Sequence, residues 1–399
     1  MHPLVGASVR RSGVINCKVL GAGPTGSLLA LALGRLGCGV TLSDPLSPSE
    51  LCSRSRAYAL THSSRGLLQS LELWDELQGE LSPFNRLCVE DRELQRRVWF
   101  DLKDLSRTNQ AQGAVGWILD HQPLMSLLLD RLNTLANISL QLGTGVSADD
   151  QDHDLVLAAD GSGSPTRQSW NLPTWRLDYR QGCLTAKVLL RGADPLVAHE
   201  SFRAEGPLAV LPLGGEAFQV VWSAPLTRCQ QRAQLDSAAF LDQLATVLPL
   251  GLEADVLLDT PRAFPQALQL SRRLYQGRRI LVGEAGHRCH PIGGQGLNLC
   301  WRDVNTLIGL VEKVQANRLP LSKLARRYAR QRWIDLLLVS LFTDLLLRLF
   351  SSRNRLKLLL RLPMLVLLKR LSWLRSLCLS LMTDGVHQDR SVAARVKPS

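Results

Sequence analysis

The sequence predicts an α/β, two-lobed fold: a Rossmann-like dinucleotide-binding domain with a G-x-G-x-x-G turn, a β-sheet lobe inserted into it, and C-terminal helices. Three stretches carry that expectation. Residues 14–44 read as strand, glycine turn, helix, strand and terminal acid. Residues 154–167 begin as an apolar strand and end in an Asp160-Gly161 turn. Residues 278–307 read as strand, glycine-rich loop and helix. Strand–turn–helix units of this kind build a parallel sheet with helices against it. The 399-residue length suits two domains or one large two-lobed unit.

Taken in order, residues 1–13 hold Arg10 and Arg11. A twin-arginine export signal is set aside, because the next apolar run carries Lys18 and enters a better-explained motif. This leader and residues 386–399 are expected to be disordered ends. Residues 14–20 form the first strand, followed by Gly21-Ala22-Gly23-Pro24-Thr25-Gly26, a helix from Ser27 to about Leu36, and a second strand at 39–43. Asp44 stands 23 residues after Gly21. In such a fingerprint Gly21 makes the tight turn, Gly23 admits a pyrophosphate, Gly26 allows helix–strand contact, and Asp44 accepts ribose hydroxyls. The spacing does not say which dinucleotide is bound.

Arg54 and Arg56 follow in a polar segment. Residues 66–77 read as a helix with Leu67, Leu68, Leu71 and Trp74 on one face. Residues 83–113 are polar with isolated aromatics and read as a β excursion toward the second lobe. A strand at 116–119 returns, and Asp120-His121-Gln122-Pro123 starts a helix carrying Leu124, Leu128, Leu132 and Leu135 inside. Around Asp120 a plain helix-capping turn explains the polar residues. Residues 182–190 and 208–223 have β character. Tyr179 and Trp222 are candidate ring contacts, or core residues.

In the last motif Ile280, Leu281 and Val282 are the strand and Gly283 ends it. Gly293, Gly294 and Gly296 let backbone approach something flat or charged. From Leu297 the pattern of Val304, Leu307 and Ile308 is helical, and its N-terminus offers free N–H groups to an anion. The tail differs in kind. Residues 333–349 and 356–381 are leucine-rich with cations such as Arg348, Arg353, Arg355, Lys357, Arg361, Lys369, Arg370 and Arg375 set among them. No charge-free run approaches the ~20 residues of a membrane span, and Pro363 is expected to interrupt the second segment. From position 321 onward there are 16 Lys and Arg against 4 Asp, so the whole net charge of +12 belongs to the tail. A tail-borne charge among leucines argues against nucleic acid and for an in-plane helix pair on an anionic membrane surface; ordinary packing against the body is the other reading. The nine cysteines are odd in number and scattered, without a C-x-x-C pair. That argues against a disulfide framework or a structural zinc site and for a reducing compartment. The cluster of His287, Cys289 and His290 lacks the separated ligand pairs of zinc, so no metal is expected.

The stretch 278–307 resembles the flavin-contacting motif of the FAD-dependent aromatic hydroxylases, the class A flavoprotein monooxygenases. It is most similar to the branch acting on prenylated rings in ubiquinone biosynthesis, with its G-D-A-A-H-x-x-H-P-x-x-G-Q-G-x-N-x-G-x-x-D pattern. Gly283, Ala285, His287, His290, Pro291, Gly294, Gln295, Gly296, Asn298 and Asp303 match; Glu284, Gly286 and Cys300 depart. Arg56 matches an R-A-x-A-L segment, Asp160, Gly161, Ser164 and Arg167 an A-D-G-x-x-S-x-x-R segment, and residues 206–213 a G-P-x-A-x-L-P-L segment. Phe264-Pro265 resembles a segment beside the substrate.

What the resemblance implies is as follows. FAD is bound by Gly21, Gly23, Pro24, Thr25, Gly26, Asp44, Arg56, Gln122, Asp160, Gly161, Glu284, Gly293, Gly296, Leu297 and Asn298. Pro291, Gly294 and Gln295 shape the reacting flavin face, with no dedicated acid or base. NAD(P)H is a transient co-substrate, and O₂ supplies the oxygen through a flavin hydroperoxide. The substrate is a prenylated aromatic small molecule, a quinone precursor. Partners of a biosynthetic complex are implied, as is a cytoplasmic, peripheral place on the inner face of the membrane. The expected domains are 14–77, 111–169 and 272–330 for FAD, 78–110 and 170–271 for the substrate lobe, and 331–385 for the helical tail. The alternatives are a flavin-dependent reductase or epoxidase of an isoprenoid, or a non-catalytic flavoprotein subunit.

Overall fold

The computed structural model describes residues 13–385 apart from 146, 148–150 and 353. The termini expected to be disordered lie outside these residues, except for position 13. The chain opens with β1 (Asn16–Leu20), α1 (Pro24–Arg35), β2 (Gly39–Asp44), α2 (Pro48–Cys52), β3 (Ala57–Leu60) and α3 (His62–Ser70). Next come β4 (Leu81–Phe84), β5 (Arg86–Asp91), β6 (Arg96–Asp101), α4 (Arg107–Gln110), β7 (Gly116–Asp120), α5 (His121–Asn133), β8 (Ile138–Leu142), β9 (Leu155–Ala158) and α6 (Pro165–Ser169). The inserted lobe holds β10 (Thr174–Arg191), β11 (Val197–Phe202), β12 (Leu208–Gly214), β13 (Ala217–Pro225), α7 (Leu226–Arg232), α8 (Ser237–Ala245), β14 (Glu253–Leu257) and β15 (Arg262–Ser271). The chain then returns through β16 (Tyr275–Gln276), β17 (Arg279–Leu281), β18 (His287–Arg288) and α9 (Gln295–Gln315). It closes with α10 (Leu321–Phe350), α11 (Arg355–Arg370) and α12 (Ser372–Thr383).

Three sheets organise these elements. The dinucleotide-type sheet has the order β16-β17-β9-β1-β2-β8, and β17, β9, β1, β2 and β8 run parallel. The lobe sheet runs β18-β15-β10-β13-β12-β11-β5-β6, with β14 also on β10. A small antiparallel sheet, β3-β7-β4, stands between them. The strand expected at 116–119 is β7, the middle strand of this small sheet. One face of the lobe sheet buries Leu184, Val188, Val210 and Trp222 against Cys229 and Phe240 of α7 and α8. Trp222 is thus core, 1% exposed.

Several expected bounds move. The helix α1 starts at Pro24 and not at Ser27, because proline lacks the N–H that a first turn leaves unpaired. The helix expected over 66–77 ends at Ser70. The Leu73 N–H bonds back to the Leu68 carbonyl at 2.9 Å and Glu72 takes φ 48°, a Schellman-type stop, before a 3-10 turn at Asp75–Glu80. Both pieces bury one side, which is why the apolar spacing looked continuous. In the tail, Pro363 does not break the helix; it sits inside α11, and the break falls at Leu371. The carbonyl that Pro363 cannot bond belongs to Leu359, on the exposed side of the helix. The boundary drawn at 330/331 falls within the single helix α10.

Candidate active site

All the motifs meet at one edge. In the parallel sheet the chain goes from β1 to β2 on one side, and later to β9 on the other. The switch point lies between β1 and β9, and ligands of open α/β sheets bind outside the carboxyl ends there. Those ends carry Gly21–Gly26 after β1, Asp44 at the end of β2, Asp160-Gly161 after β9, and Gly283-Glu284 after β17.

The glycines divide into two kinds. A Cβ on Gly21 would meet the Ala159 carbonyl oxygen at 2.6 Å, and one on Gly26 would meet the Gly21 oxygen at 1.8 Å. These two exist for chain-on-chain packing. A Cβ on Gly23, Gly161 or Gly296 would meet nothing within 4 Å. Open backbone at three points of one edge, two of them at the N-termini of α1 and α9, makes a cradle for a dinucleotide phosphate and an adjoining flat ring. The residues present therefore fit FAD. The side chain of Asp44 accepts the Ala22 N–H at 2.6 Å and the Leu46 N–H at 2.8 Å, one on each oxygen, and keeps lone pairs for a ribose. Asp160 accepts from the Ser164 hydroxyl and from the Thr166 N–H at 3.0 Å, shaping the turn. Arg167 donates to the Ala285 carbonyl at 2.7 Å and the Ser162 carbonyl at 3.1 Å, tying this motif to the next.

The second glycine turn is held from outside. Gly293 and Gly294 take φ 65° and 64°. A Cβ on Gly293 would lie 2.7 Å from Met382 Cε of α12, and one on Gly294 would lie 2.7 Å from Ala59 Cβ of β3. Asn298, placed among the cofactor contacts from the sequence, spends its side chain inside the protein. Its Nδ2 donates to Ala59 and Gly294 carbonyls at 2.7 and 2.8 Å, and its Oδ1 accepts from the Thr61 N–H and the Ser64 hydroxyl. Both amide hydrogens are used, so only its backbone remains to meet a ligand. Gln295 donates to the Gly293 carbonyl at 3.1 Å while its buried Oε1 has no partner among the described residues. Pro291 leads into the 3-10 turn Ile292–Gly294, and Leu297 is half-buried on the first turn of α9.

Beneath the turn Asp303 is fully buried. It accepts from the Gly283 N–H at 2.7 Å, His287 Nε2 at 2.8 Å and Arg332 Nε at 2.5 Å. Burial alone would raise its carboxyl, but His287 and Arg332 outweigh burial and hold it at about 2. Arg332 also binds Asp335 at 2.7 Å, and Tyr328 donates to the Leu281 carbonyl at 3.1 Å. Helix α10, read from the sequence as a tail, thus supports the turn directly. Cys300 fits because Gly283 has no side chain: a Cβ there would sit 3.2 Å from the thiol.

Above the cradle lies the second face of the lobe sheet. Lys187 of β10 pairs with Asp120 at the end of β7, which also caps α5 through the His121 N–H at 2.8 Å. Gln122 is exposed on the first turn of α5, beside this cap. Arg56 stacks 5.4 Å over Tyr58 and is open to solvent although protein surrounds it, as on the floor of a cleft; it feels Glu284 and Cys183. Glu284 is half-buried. His290 is fully buried with neither ring nitrogen bonded among the described residues, and burial pushes it down to about 3, so it is neutral. Tyr179 packs against it edge-on at 5.7 Å. Phe264 pairs with Cys183 and stays 40% exposed.

Three contributors escaped the sequence reading. Arg332 and Met382 act across long separations and carry no local signal. Glu200 of β11 did carry one, a carboxylate alternating with Ala198 and Phe202 on an apolar strand face; its Oε2 accepts from the Gly293 N–H at 3.5 Å.

Comparison with known proteins agrees with the cradle. The family model for the FAD binding domain matches residues 15–318. A ubiquinone hydroxylase, UbiL, of Rhodospirillum rubrum is 29% identical over 382 residues, covering 88% of this chain and 84% of its own. The 3-demethoxyubiquinol 3-hydroxylase of Escherichia coli is 27% identical over 356 residues, covering 84% and 89%. PqsL of P. aeruginosa, solved with 2-aminobenzoylacetate, superposes with a TM-score of 0.72 at 18% identity, over 87% of this chain and 99% of its own; it shares the fold. The chain belongs to the FAD binding domain family, as a flavoprotein monooxygenase of the hydroxylase type.

Proposed function

We propose that this protein hydroxylates an electron-rich aromatic ring that carries a prenyl chain, a quinone precursor, using O₂ and NAD(P)H. The observation that carries the reading is the junction itself. A dinucleotide cradle at the switch point faces a sheet wall, and an apolar cluster of Ile292, Phe202, Leu347, Phe350, Leu365 and Leu379 packs beside the platform turn, between the lobe and the tail. Such a cluster suits an isoprenoid, and the substrates named for the two hydroxylase relatives are of the ubiquinone type.

In this reading Gly23, Pro24, Thr25 and the α1 N-terminus hold the pyrophosphate, Asp44 the ribose, and Asp160 with Gly161 the far side of the dinucleotide. Arg56, Gln122 and Glu284 border the ring system of the cofactor. Pro291, Gly293, Gly294, Gln295, Gly296 and Leu297 form the platform of the reacting face. The α9 N-terminus favours negative charge developing next to it. When bound, FAD supplies the activation of oxygen. The chain positions the substrate ring and excludes water. NAD(P)H visits transiently, since the chain has no second nucleotide fingerprint.

The same reading places the protein peripherally on the inner face of a membrane. No helix among the described residues is long and apolar enough to cross one. Two of the tail cations expected to face headgroups are held by the protein instead. Arg361 is buried against Asp91 at 3.4 Å and Arg375 binds Asp104 at 2.9 Å, so neither is free for headgroups. Helix α10 instead exposes Lys323, Arg326, Arg327 and Arg330, followed on the same side by Ile334, Leu337, Leu338, Leu341 and Leu345. Lys369 and Arg370 are also exposed.

The test is turnover of a prenylated phenol by the FAD-loaded protein under ¹⁸O₂. One labelled oxygen in the ring supports the reading, and NAD(P)H consumption with unlabelled product favours the reductase instead. Replacing Lys323, Arg326, Arg327 and Arg330 by Gln should release the protein from anionic vesicles at unchanged FAD content, each cation contributing roughly 1 kcal/mol. Binding that ignores these changes and salt would show docking lies elsewhere.

A further inference from the structure

Among the described residues the buried carboxylates follow one rule with one exception. Glu90 holds Arg97 at 2.9 Å, Asp91 holds Arg361, and Asp104 holds Arg375. Asp303 and Asp335 hold Arg332, and Asp44 takes two strong backbone N–H bonds. Glu200 is as buried, 8% exposed, and has no cation partner among the described residues. Its hydrogen bond is the long 3.5 Å one from Gly293. A carboxyl group that served structure alone would be given a partner, because an unpaired buried charge is costly.

Its position is specific. In β11 the residues Ala198, Glu200 and Phe202 share a face, and Glu200 pairs in register with Ala209 of β12. Ala198 and Phe202 belong to the apolar shell around Ile292. Glu200 is therefore the carboxyl on the sheet wall that reaches the platform turn at residues 291–296. Cys183 of β10 feels the charge of both Glu200 and Arg56, which puts Glu200 on the cleft side of the sheet.

We propose that Glu200 is the catalytic base for the ring: its carboxylate accepts the hydrogen bond of a ring hydroxyl seated over the turn and then takes its proton. The O–H bond breaks, the electron pair stays on the ring oxygen, and the proton becomes that of the Glu200 carboxylic acid. The ring gains electron density for attack on oxygen. The substrate class narrows to rings with a free, ionisable hydroxyl. This inference rests on the hydroxylase reading.

The surroundings suit a base working near neutrality. Burial raises Glu200 to about 7, with the Gly293 N–H opposing it. The nearby titratable groups do not compete. The Cys183 thiol is pushed up to about 12, chiefly by burial, and His290 is pushed down to about 3 by burial, so both are neutral. Arg56 and Glu284 border the cleft from the cofactor side. On the helices over this face, Arg348, Arg361 and Arg375 are each held by Asp344, Asp91 and Asp104.

The experiment uses oxidised, FAD-loaded protein with 2-prenylphenol and its methyl ether as probes, without NAD(P)H. Flavin difference spectra report the binding of each, independently of turnover. Wild type should favour the phenol over the ether by about tenfold, a preference that develops as pH rises through about 7, because only the Glu200 carboxylate accepts the hydroxyl hydrogen bond. Glu200→Gln, with FAD content unchanged, should lose the pH dependence of this preference, and Glu200→Asp should restore it with a shifted midpoint. Under turnover Glu200→Gln should lose about 100-fold in rate at pH 7 and lose the acid limb of the pH profile. A wild type whose preference ignores pH overturns the proposal, as does Glu200→Gln that keeps the pH step and the limb. Should Glu200→Gln fail to fold, wild type against Glu200→Asp decides: an identical midpoint in both overturns it. A pH-dependent preference in wild type with no ¹⁸O in the product would instead sink the hydroxylase reading and leave the hydroxyl contact in place.

Discussion

The two glycine turns of the cradle look alike and are held differently. The turn after β1 is locked by its own neighbourhood: Gly26 presses on Gly21, and Gly21 on Ala159. The turn before α9 is locked from a distance. Asn298 ties it to β3, Met382 of α12 presses on Gly293, and Arg332 of α10 grips Asp303 beneath it. A turn that braces itself is insensitive to the rest of the molecule. A turn braced by other elements inherits every change in them.

The largest effect should come from breaking the self-braced turn. Gly26→Ala puts a methyl carbon 1.8 Å from a backbone oxygen. It should cost more than about 4 kcal/mol and leave no cooperative thermal transition by circular dichroism. A normal melt would mean that the turn is softer than its packing.

Arg332→Leu tests the other bracing. It strips the buried Asp303 of a cation and should cost about 3–5 kcal/mol. Hydrogen exchange should rise across 283–298 and stay unchanged at 21–26. Equal opening of both turns would erase the contrast.

Acid should act on the second turn alone. Asp303 titrates at about 2 in the folded chain against 3.8 as a free group, so the unfolded chain binds more protons between those values. The stabilisation, about 2 kcal/mol, is full above pH 4 and is lost as pH falls toward 2. Denaturant melts from pH 5 to 2.5 should show this slope, and Asp303→Asn should flatten it.

The smallest effect on stability should come from the open glycines. Gly23→Ala and Gly296→Ala each place a methyl group in empty space. Both should keep the apo-protein melting point within about 2 °C and weaken FAD about tenfold, read by flavin fluorescence titration. Loss of fold in either would show that the space is not a ligand's.

The contrast also explains what could be read in advance. Gly21, Gly26 and Asp44 meet demands imposed by residues close in sequence or one strand away, so spacing alone exposes them. Gln122 kept two readings because a cap at Asp120 and a ligand contact call for the same polar residues. Asn298 was recognisable by its register, but its work, bonding Ala59 and Thr61, needs a contact some 237 positions away. Arg332 looked like one more tail cation until α10 brought it under Asp303. Pro363 misled because an interior proline can kink a helix without ending it.

Helix α10 has one more consequence. At 30 residues, about 45 Å, it runs unbroken from the basic outer stripe, past Arg332, to Phe350 in the apolar shell. It is a strut with no break, and it joins the stripe to the turn at 283–298 without passing through the sheet. Someone trimming this gene at residue 320 to obtain a tidy flavin domain would remove the strut's grip and strand a buried carboxylate. Grafting a relative's C-terminal half would succeed only if positions 303, 332 and 335 travelled together.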